Sequence, residues 1–356
     1  MPRANQLAVE VATPALMVDL DVFDANVAAL SAMVQGTGKT VRPHVKTHRT
    51  PRLAARQLGP HAAGVTCATV GEAEKMVASG ISDILIANEV VDPAKVARVA
   101  ALARGASVRV AVDAPGPVKV LAETARRAGV VIGVLIEVDI LLHRGGVVSA
   151  TEAIELAQAM ERSHHLRFDG LMAYEGRQRA SVPDRGTRIA RAYATLAGVR
   201  SALIDAGFGV ACVSAAGTST LREALADPTI TEIQAGAYAL MEPDLAGLGL
   251  PFRCAAVVRG TVISRHGRHF VLDAGRRSIG MEYGPPTPLR IEHVGISVSD
   301  EHTTIETDVS LPELGERVDL VPGQIRTTFN LHDAVWVARG DQIVDRWPIS
   351  ARGQSS

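Results

Sequence analysis

Between about residue 16 and residue 240 the sequence alternates short apolar runs, rich in Val, Ile and Leu, with segments of helical period. The runs fall at 16–20, 41–46, 64–68, 84–87, 108–112, 133–138, 168–174, 210–214 and 232–235. Several are continuous rather than alternating, which is what strands buried on both faces require. Helix signals lie between them. Asp21 caps a segment reaching Met33, Gly71-Glu72-Ala73-Glu74 opens another, Asp92-Pro93 starts a third, and Thr187 to Ala206 is the longest. Strand and helix in alternation imply right-handed crossovers and a parallel sheet. Counted from Val41 there are eight runs, the closing number of a (β/α)8 barrel. An α/β fold built on a TIM-type barrel is therefore expected, with the run at 16–20 left over to pair elsewhere.

After residue 245 the pattern changes to strand-like segments separated by Gly, Pro and Asp, without a long helical period. This reads as a C-terminal antiparallel β domain. The expected organisation is an N-terminal segment at 1–20 whose strand joins the β domain, a barrel at 21–245 and the β domain at 246–356. The tail from Arg352 is expected to be mobile. Lys+Arg number 37 and Asp+Glu 38, so no basic surplus draws the chain to nucleic acid or to an anionic membrane. The N-terminus has no unbroken apolar core of a signal peptide, the three cysteines form no CxxC, and the longest apolar stretch, 130–138, is interrupted by Glu137. A cytoplasmic protein without a disulfide framework is expected.

Only five lysines are present, Lys39, Lys46, Lys75, Lys95 and Lys119. Four fall on loops or helical segments and read as solvated surface charge. Lys46 ends the strand run 41–46, at the C-terminal mouth of the first barrel strand, where barrel active sites are built. His44 and His48 flank it. It reads either as a strand-end lysine or as a nucleophilic amine tuned by its surroundings. Ser214-Ala215-Ala216-Gly217-Thr218-Ser219-Thr220 follows the seventh barrel run and precedes a helix. Small residues there let backbone N–H groups approach an anion. The alternative is an ordinary capped turn. Tyr238, beyond the eighth run, is a further hydroxyl donor or a core-edge tyrosine. An amine at one barrel mouth and a phosphate cradle across it suggest pyridoxal 5'-phosphate, its aldehyde held by Lys46 as a Schiff base. Arg144, after the fifth run, is a candidate partner for the pyridine nitrogen. A guanidinium stays protonated and can only donate, so such a cofactor is a weaker electron sink than one facing a carboxylate.

These residues carry a resemblance. Arg42-Pro43-His44-Val45-Lys46-Thr47-His48-Arg49 is similar to the lysine motif of the D-threonine aldolase and D-serine dehydratase family, fold type III pyridoxal phosphate enzymes related to alanine racemase. Thr13-Pro14-Ala15-Leu16, Gly71-Glu72-Ala73-Glu74, Ala173-Tyr174-Glu175-Gly176, Gln234-Ala235-Gly236-Ala237-Tyr238, Asp273-Ala274-Gly275, Asn330-Leu331-His332-Asp333 and Trp347-Pro348 extend the match along nearly the whole chain. The resemblance implies a homodimer and a small-molecule amino-acid substrate. It implies Lys46, Arg144 and Tyr174 as catalytic residues. His44, Gly217, Thr218 and Tyr238 join them in holding the cofactor.

Two segments depart from the family. Its lyases place histidine, then an acid or cysteine two residues on, after a Pro-Gly to hold a divalent metal. Here the segment is Pro322-Gly323-Gln324-Ile325-Arg326. Members also often carry histidine shortly after Tyr-x-Gly, where this chain has Arg177-Gln178-Arg179-Ala180. A divalent metal is not expected, and Gln324 and Arg326 become candidate substrate-binding residues. The expected activity is aldol cleavage or β-elimination of a β-hydroxy-D-amino acid. The missing metal ligands keep a racemase or epimerase open, as well as a catalytically silent cofactor-binding protein. His332-Asp333 is expected to be structural, and Ser214 and Ser219 lack the partners of a hydrolase triad.

Overall fold

The computed structural model describes residues 11–356. The opening of the 1–20 segment, including the residues on which the signal-peptide expectation rests, lies outside the described residues. Two compact units are present: 31–46 with 54–236 and 354–356, and the described residues up to Leu30 with 47–53 and 237–353. The first strand, β1 (Ala15–Asp19), belongs to the latter.

The barrel unit contains β2 (Thr40–Val41), β3 (Val65–Cys67), β4 (Asp83–Glu89), β5 (Ser107–Val112), β6 (Ile132–Val138), β7 (Leu166–Ala173), β8 (Cys212–Ala215) and β9 (Glu232–Ile233). All pairings are parallel, in the order β2-β9-β8-β7-β6-β5-β4-β3. A parallel bridge between His44 and Thr66 closes the ring, with the Thr66 N–H donating to Pro43 O at 2.9 Å. The eight expected strands are all present. The first is shorter than the apolar run: β2 stops at Val41, and Lys46 sits on a 3-10 turn, Val45–Thr47. Pro43 has no N–H to give a ladder, which accounts for the early stop.

Parallel strands turn every second side chain inward. Three tiers follow along the barrel axis. The lower tier is ionic. Arg42 donates to Glu232 at 2.9 Å and to Asp83 at 2.8 Å, and Arg109 reaches Asp83 at 3.4 Å and Asp169 at 3.0 Å. Arg109 on β5 meets Asp169 on β7 across Gly133 on the intervening strand, where a Cβ would lie 2.4 Å from the carboxylate. The middle tier is apolar, formed by Leu85, Ala111, Leu135 and Met172. Two residues further along each strand, the upper tier holds Asp113, Glu137 and Tyr174. Glu89 joins them because an irregularity in β4 sets it opposite Ala111.

Helix boundaries follow local chemistry. Thr69 caps Val70–Ala78 and Asp92 caps Pro93–Leu102, accepting the N–H of Lys95 at 3.0 Å. The longest helix is Arg185–Asp205. Three local expectations need correction. Asp19, not Asp21, caps Leu20–Val34, accepting from Asp21 N and Val22 N, and Asp21 pairs with Arg339. Lys39 is not simply solvated, because its ammonium donates to Asp227 O and Ile230 O. The tail is tied down by bonds from Thr69 Oγ1 to Gln354 O at 2.6 Å and from Gly71 N–H to Ser356 O at 3.0 Å.

The second unit is a mixed sheet in the order β13-β14-β11-β10-β1-β16-β17. It comprises β1, β10 (Ala256–His266), β11 (His269–Leu272), β12 (Thr287–Pro288), β13 (Gly295–Val298), β14 (Thr303–Glu306), β15 (Arg317–Val321), β16 (Ala334–Arg339) and β17 (Gln342–Pro348). The surplus N-terminal strand finds its expected place here, antiparallel to β10 and parallel to β16. Leu16, Val258, Phe270, Leu320, Phe329 and Val335 are buried in this unit. No helix among the described residues is long and apolar enough to cross a membrane.

Both Arg42 and Glu232 are buried, and deleting one partner leaves a bare charge in the barrel. Arg42→Ala is expected to cost about 3–5 kcal/mol of unfolding free energy, read as a lower urea midpoint. A neutral Arg42→Met/Glu232→Gln pair should recover much of it.

Candidate active site

The upper mouth of the barrel brings together three of the residues singled out from the sequence. Lys46 Nζ lies 5.7 Å from the centroid of the Tyr174 ring. Tyr174 follows β7, and its Cε2 is 3.2 Å from where a Cβ on Gly217 would stand. The missing side chain at Gly217 thus makes room for the ring. Gly217 also opens the 3-10 turn Thr218–Thr220, its N–H held by Thr220 Oγ1 at 3.2 Å. Amine, aromatic wall and small-residue turn form one continuous line. His44 is buried, and its N–H donates to Ala235 O at 3.2 Å.

Arg144 lies in the loop after β6 with its side chain 58% exposed, and its Nη2 is 3.4 Å from Glu137 Oε1. His143 is turned outward and pairs with Asp139 at 2.9 Å. The remaining candidates belong to the second unit. Tyr238 is buried on the turn Ala237–Ala239 and packs against Phe252, with ring centroids 5.6 Å apart. Gln324 precedes the helix Ile325–Leu331, and its Oε1 accepts from Thr327. Arg326 donates to the Tyr283 hydroxyl at 2.6 Å and lies 3.9 Å from Glu242, a fully buried carboxylate that also accepts the Ile325 N–H. His332 Nε2 bonds Ser278 O at 2.8 Å and Asp333 pairs with Arg352, a structural arrangement. Ser214 donates to Glu232 at 2.6 Å.

The barrel group suits pyridoxal phosphate: a primary amine, an aromatic face beside it, and a turn kept open by glycine where backbone N–H groups can meet a phosphate. The Gln324 and Arg326 segment does not suit a divalent cation. The Gln324 oxygen is engaged by Thr327, and a guanidinium is a donor and a cation itself. No cluster of three or more His, Cys, Asp or Glu that could hold a metal occurs among the described residues.

Residues 18–242 match the alanine racemase N-terminal domain, and residues 255–338 match the putative serine dehydratase domain. The chain belongs to the alanine racemase N-terminal domain family. It is 37% identical to the D-threonine aldolase of an Arthrobacter species, over 96% of this chain and 93% of that one. It is 31% identical to the 3-hydroxy-D-aspartate aldolase of Paracoccus denitrificans, over 97% and 93%. The crystal structure of D-threonine aldolase from Filomicrobium marinum superimposes with a TM-score of 0.94 at 35% identity, covering 99% of this chain and 100% of that one. The barrel with its C-terminal β domain is the architecture these comparisons support.

Around the lysine and the turn, this alanine racemase-like barrel holds buried acids that the sequence reading did not assign. Glu175, next to Tyr174, accepts from the Tyr193 hydroxyl. Burial pushes its carboxyl up to about 6, against the pull of the Tyr193 and Thr220 hydroxyls. Burial also pushes up Tyr193, with the Glu175 charge adding to the rise. On the neighbouring strands, burial raises Glu137 to about 8, the Glu89 carboxyl adds to the rise and Arg144 opposes it. Glu137 had one legible signal, an acid interrupting an otherwise apolar buried strand. Glu175 had none, since nothing in sequence links it to Tyr193.

Because the fold raises the Glu175 pKa, it favours the protonated acid. Its contribution to stability is complete below about pH 4.5 and is lost as pH rises through about 6. The difference in unfolding free energy between wild type and Glu175→Gln is therefore expected to change by about 2 kcal/mol between pH 4.5 and 7, the variant gaining on the wild type at the higher pH. Urea titrations at the two pH values measure this.

Proposed function

We propose that the chain is a pyridoxal 5'-phosphate-dependent lyase that cleaves β-hydroxy-D-amino acids, and that it works in the cytoplasm as a homodimer without a divalent metal. The observation that carries this reading is the line from the Lys46 amine across the Tyr174 ring to the Gly217 turn. Relatives that act as D-threonine and 3-hydroxy-D-aspartate aldolases support the choice of substrate. Residues 21–245 would be the cofactor-binding domain and 246–356 the β domain.

When bound, the cofactor supplies an electron sink for the Cα of an amino acid. Lys46 would be the residue that tethers the cofactor, and its amine would move a proton at the substrate Cα. Tyr174 would give the ring a wall to lie against, and His44 would help to hold the cofactor. The Gly217–Thr218 turn would hold the phosphate, with the Tyr238 hydroxyl as a further donor. Arg144 would face the ring nitrogen; a guanidinium stays protonated and can only donate, so it would leave the electron sink a modest one. Gln324 and Arg326 meet the substrate. The products of aldol cleavage are glycine and an aldehyde: the Cα–Cβ bond breaks, the β-hydroxyl proton leaves and Cα gains one.

A second reading, racemisation or epimerisation at Cα, is favoured by one observation: Gln324 and Arg326 stand where the family's lyases carry metal ligands. Incubation with D- and L-amino acids in deuterated buffer, with and without divalent ions, separates the readings by NMR. Glycine and an aldehyde from a β-hydroxy-D-amino acid, insensitive to chelator, are the expected result. Ammonia and a keto acid would mark β-elimination instead. Cα exchange without cleavage would establish a racemase, and a coloured protein with neither would be catalytically silent. Lys46→Ala is expected to lose both the visible absorption of the loaded protein and all turnover. Retention of that absorption would defeat the assignment of Lys46.

A further inference from the structure

The upper tier of the barrel contains an electrostatic arrangement beyond the residues used above. Glu89, Asp113 and Glu137 lie at or just past the ends of three consecutive strands, β4, β5 and β6, and the loop carrying Arg144 is seated on them. Asp113 Oδ2 accepts the Gly146 N–H at 3.1 Å. Gly146 has φ +104, and a Cβ there would lie 2.5 Å from Asp139 N. A Cβ on Gly145 would stand 3.6 Å from Asp113 Oδ2 and 3.7 Å from Glu89 Oε1. Gly146 is thus required by its backbone turn against Asp139, Gly145 rests in ordinary contact with the acids, and Arg144 returns to Glu137 Oε1 at 3.4 Å.

Two oxygens in this seat lack a donor. Glu89 Oε1 and Glu137 Oε2 are both buried, and neither has a hydrogen-bond partner. The Glu89 carboxyl is nevertheless close enough to Glu137 to oppose its ionisation. Carboxylates only accept, so two ionised acids in contact repel and leave both oxygens unsatisfied. One proton between them supplies a donor to one and an acceptor to the other, as in other buried carboxyl pairs.

We propose that Glu89 and Glu137 share a single proton beneath Arg144, and that this pair is the positioning element that fixes the guanidinium at the barrel mouth. The pair carries one negative charge, which balances the single positive charge of Arg144. The other charged groups of this end are the Lys46 ammonium beside Tyr174, Asp113, committed to Gly146, and the Asp139–His143 pair. From β7, the neighbour of Glu137 is the uncharged Met172. Loss of the shared proton at alkaline pH turns the pair into a dianion and draws Arg144 toward it, away from any ring bound above. This inference rests on the proposed role of Arg144 only for its effect on the cofactor; the shared proton itself is a property of the chain alone.

The test therefore has two arms. Infrared spectra of the full chain without cofactor are expected to show the carbonyl stretch of a protonated carboxylic acid at pH 7, lost as pH passes about 8. The other raised acid, Glu175, loses its proton lower, near 6, so the two steps are separable. Glu137→Gln and Glu89→Gln should each abolish the upper step, since an amide N–H replaces the shared proton. In the loaded protein, Glu137→Gln should flatten the alkaline dependence of the visible absorption. A wild-type chain with no carboxylic acid band lost above pH 7 overturns the proposal, even if neither variant folds. So does an upper step that persists in both variants. A colourless protein with an intact infrared step would instead defeat the pyridoxal phosphate reading and leave the shared proton standing.

Discussion

The two-residue side-chain period of a closed parallel sheet governs this barrel. Once the ring closes through His44 and Thr66, alternate residues of every strand must enter a shared interior. The chemistry of that interior is then stacked in tiers by strand position. Charges fill the lower tier and Leu85, Ala111, Leu135 and Met172 fill the middle. Acids and Tyr174 reach the mouth. The apolar middle tier separates two polar groups: the lower pairs charges between strands, and the upper lines the mouth where the cofactor is proposed to bind.

The mouth combines a small number of fixed groups with one that arrives on a loop. Lys46 is held on a turn tied to the neighbouring strand by the His44 N–H, and Tyr174 is confined by the approach of Gly217. Arg144 comes from a loop and is more than half exposed, so its placement depends on what lies under it. Buried acids with raised pKa values surround this end, which is where a site that manages protons is expected to carry them.

Much of this was legible in sequence because it depends on local periodicity. Eight apolar runs at barrel spacing gave the closed sheet, the leftover run at 16–20 found its partners in β10 and β16, and Asp92-Pro93 opened its helix as read. Strand length was harder. Pro43 ends the ladder early although the side chains around it stay buried, so apolarity outran hydrogen bonding. Lys39 was misread because its partners, the carbonyls of Asp227 and Ile230, are almost two hundred residues away and backbone oxygens leave no mark in a sequence. The acids of the upper tier were visible only as interruptions. Glu89, Asp113 and Glu137 are each separated by one strand–helix repeat, and only closure of the sheet makes them neighbours.

The lower tier bears on how such a chain can be divided. Its charges are drawn from β4, β5, β7 and β9 and from Arg42 just past β2, and each is balanced by a residue on another strand. A fragment containing half the strands would inherit cations and anions whose counterparts lie in the missing half. Partial barrels of this sequence are thus electrostatically incomplete, and exchange of half-barrels between relatives would leave charges unpaired unless these five positions travel together.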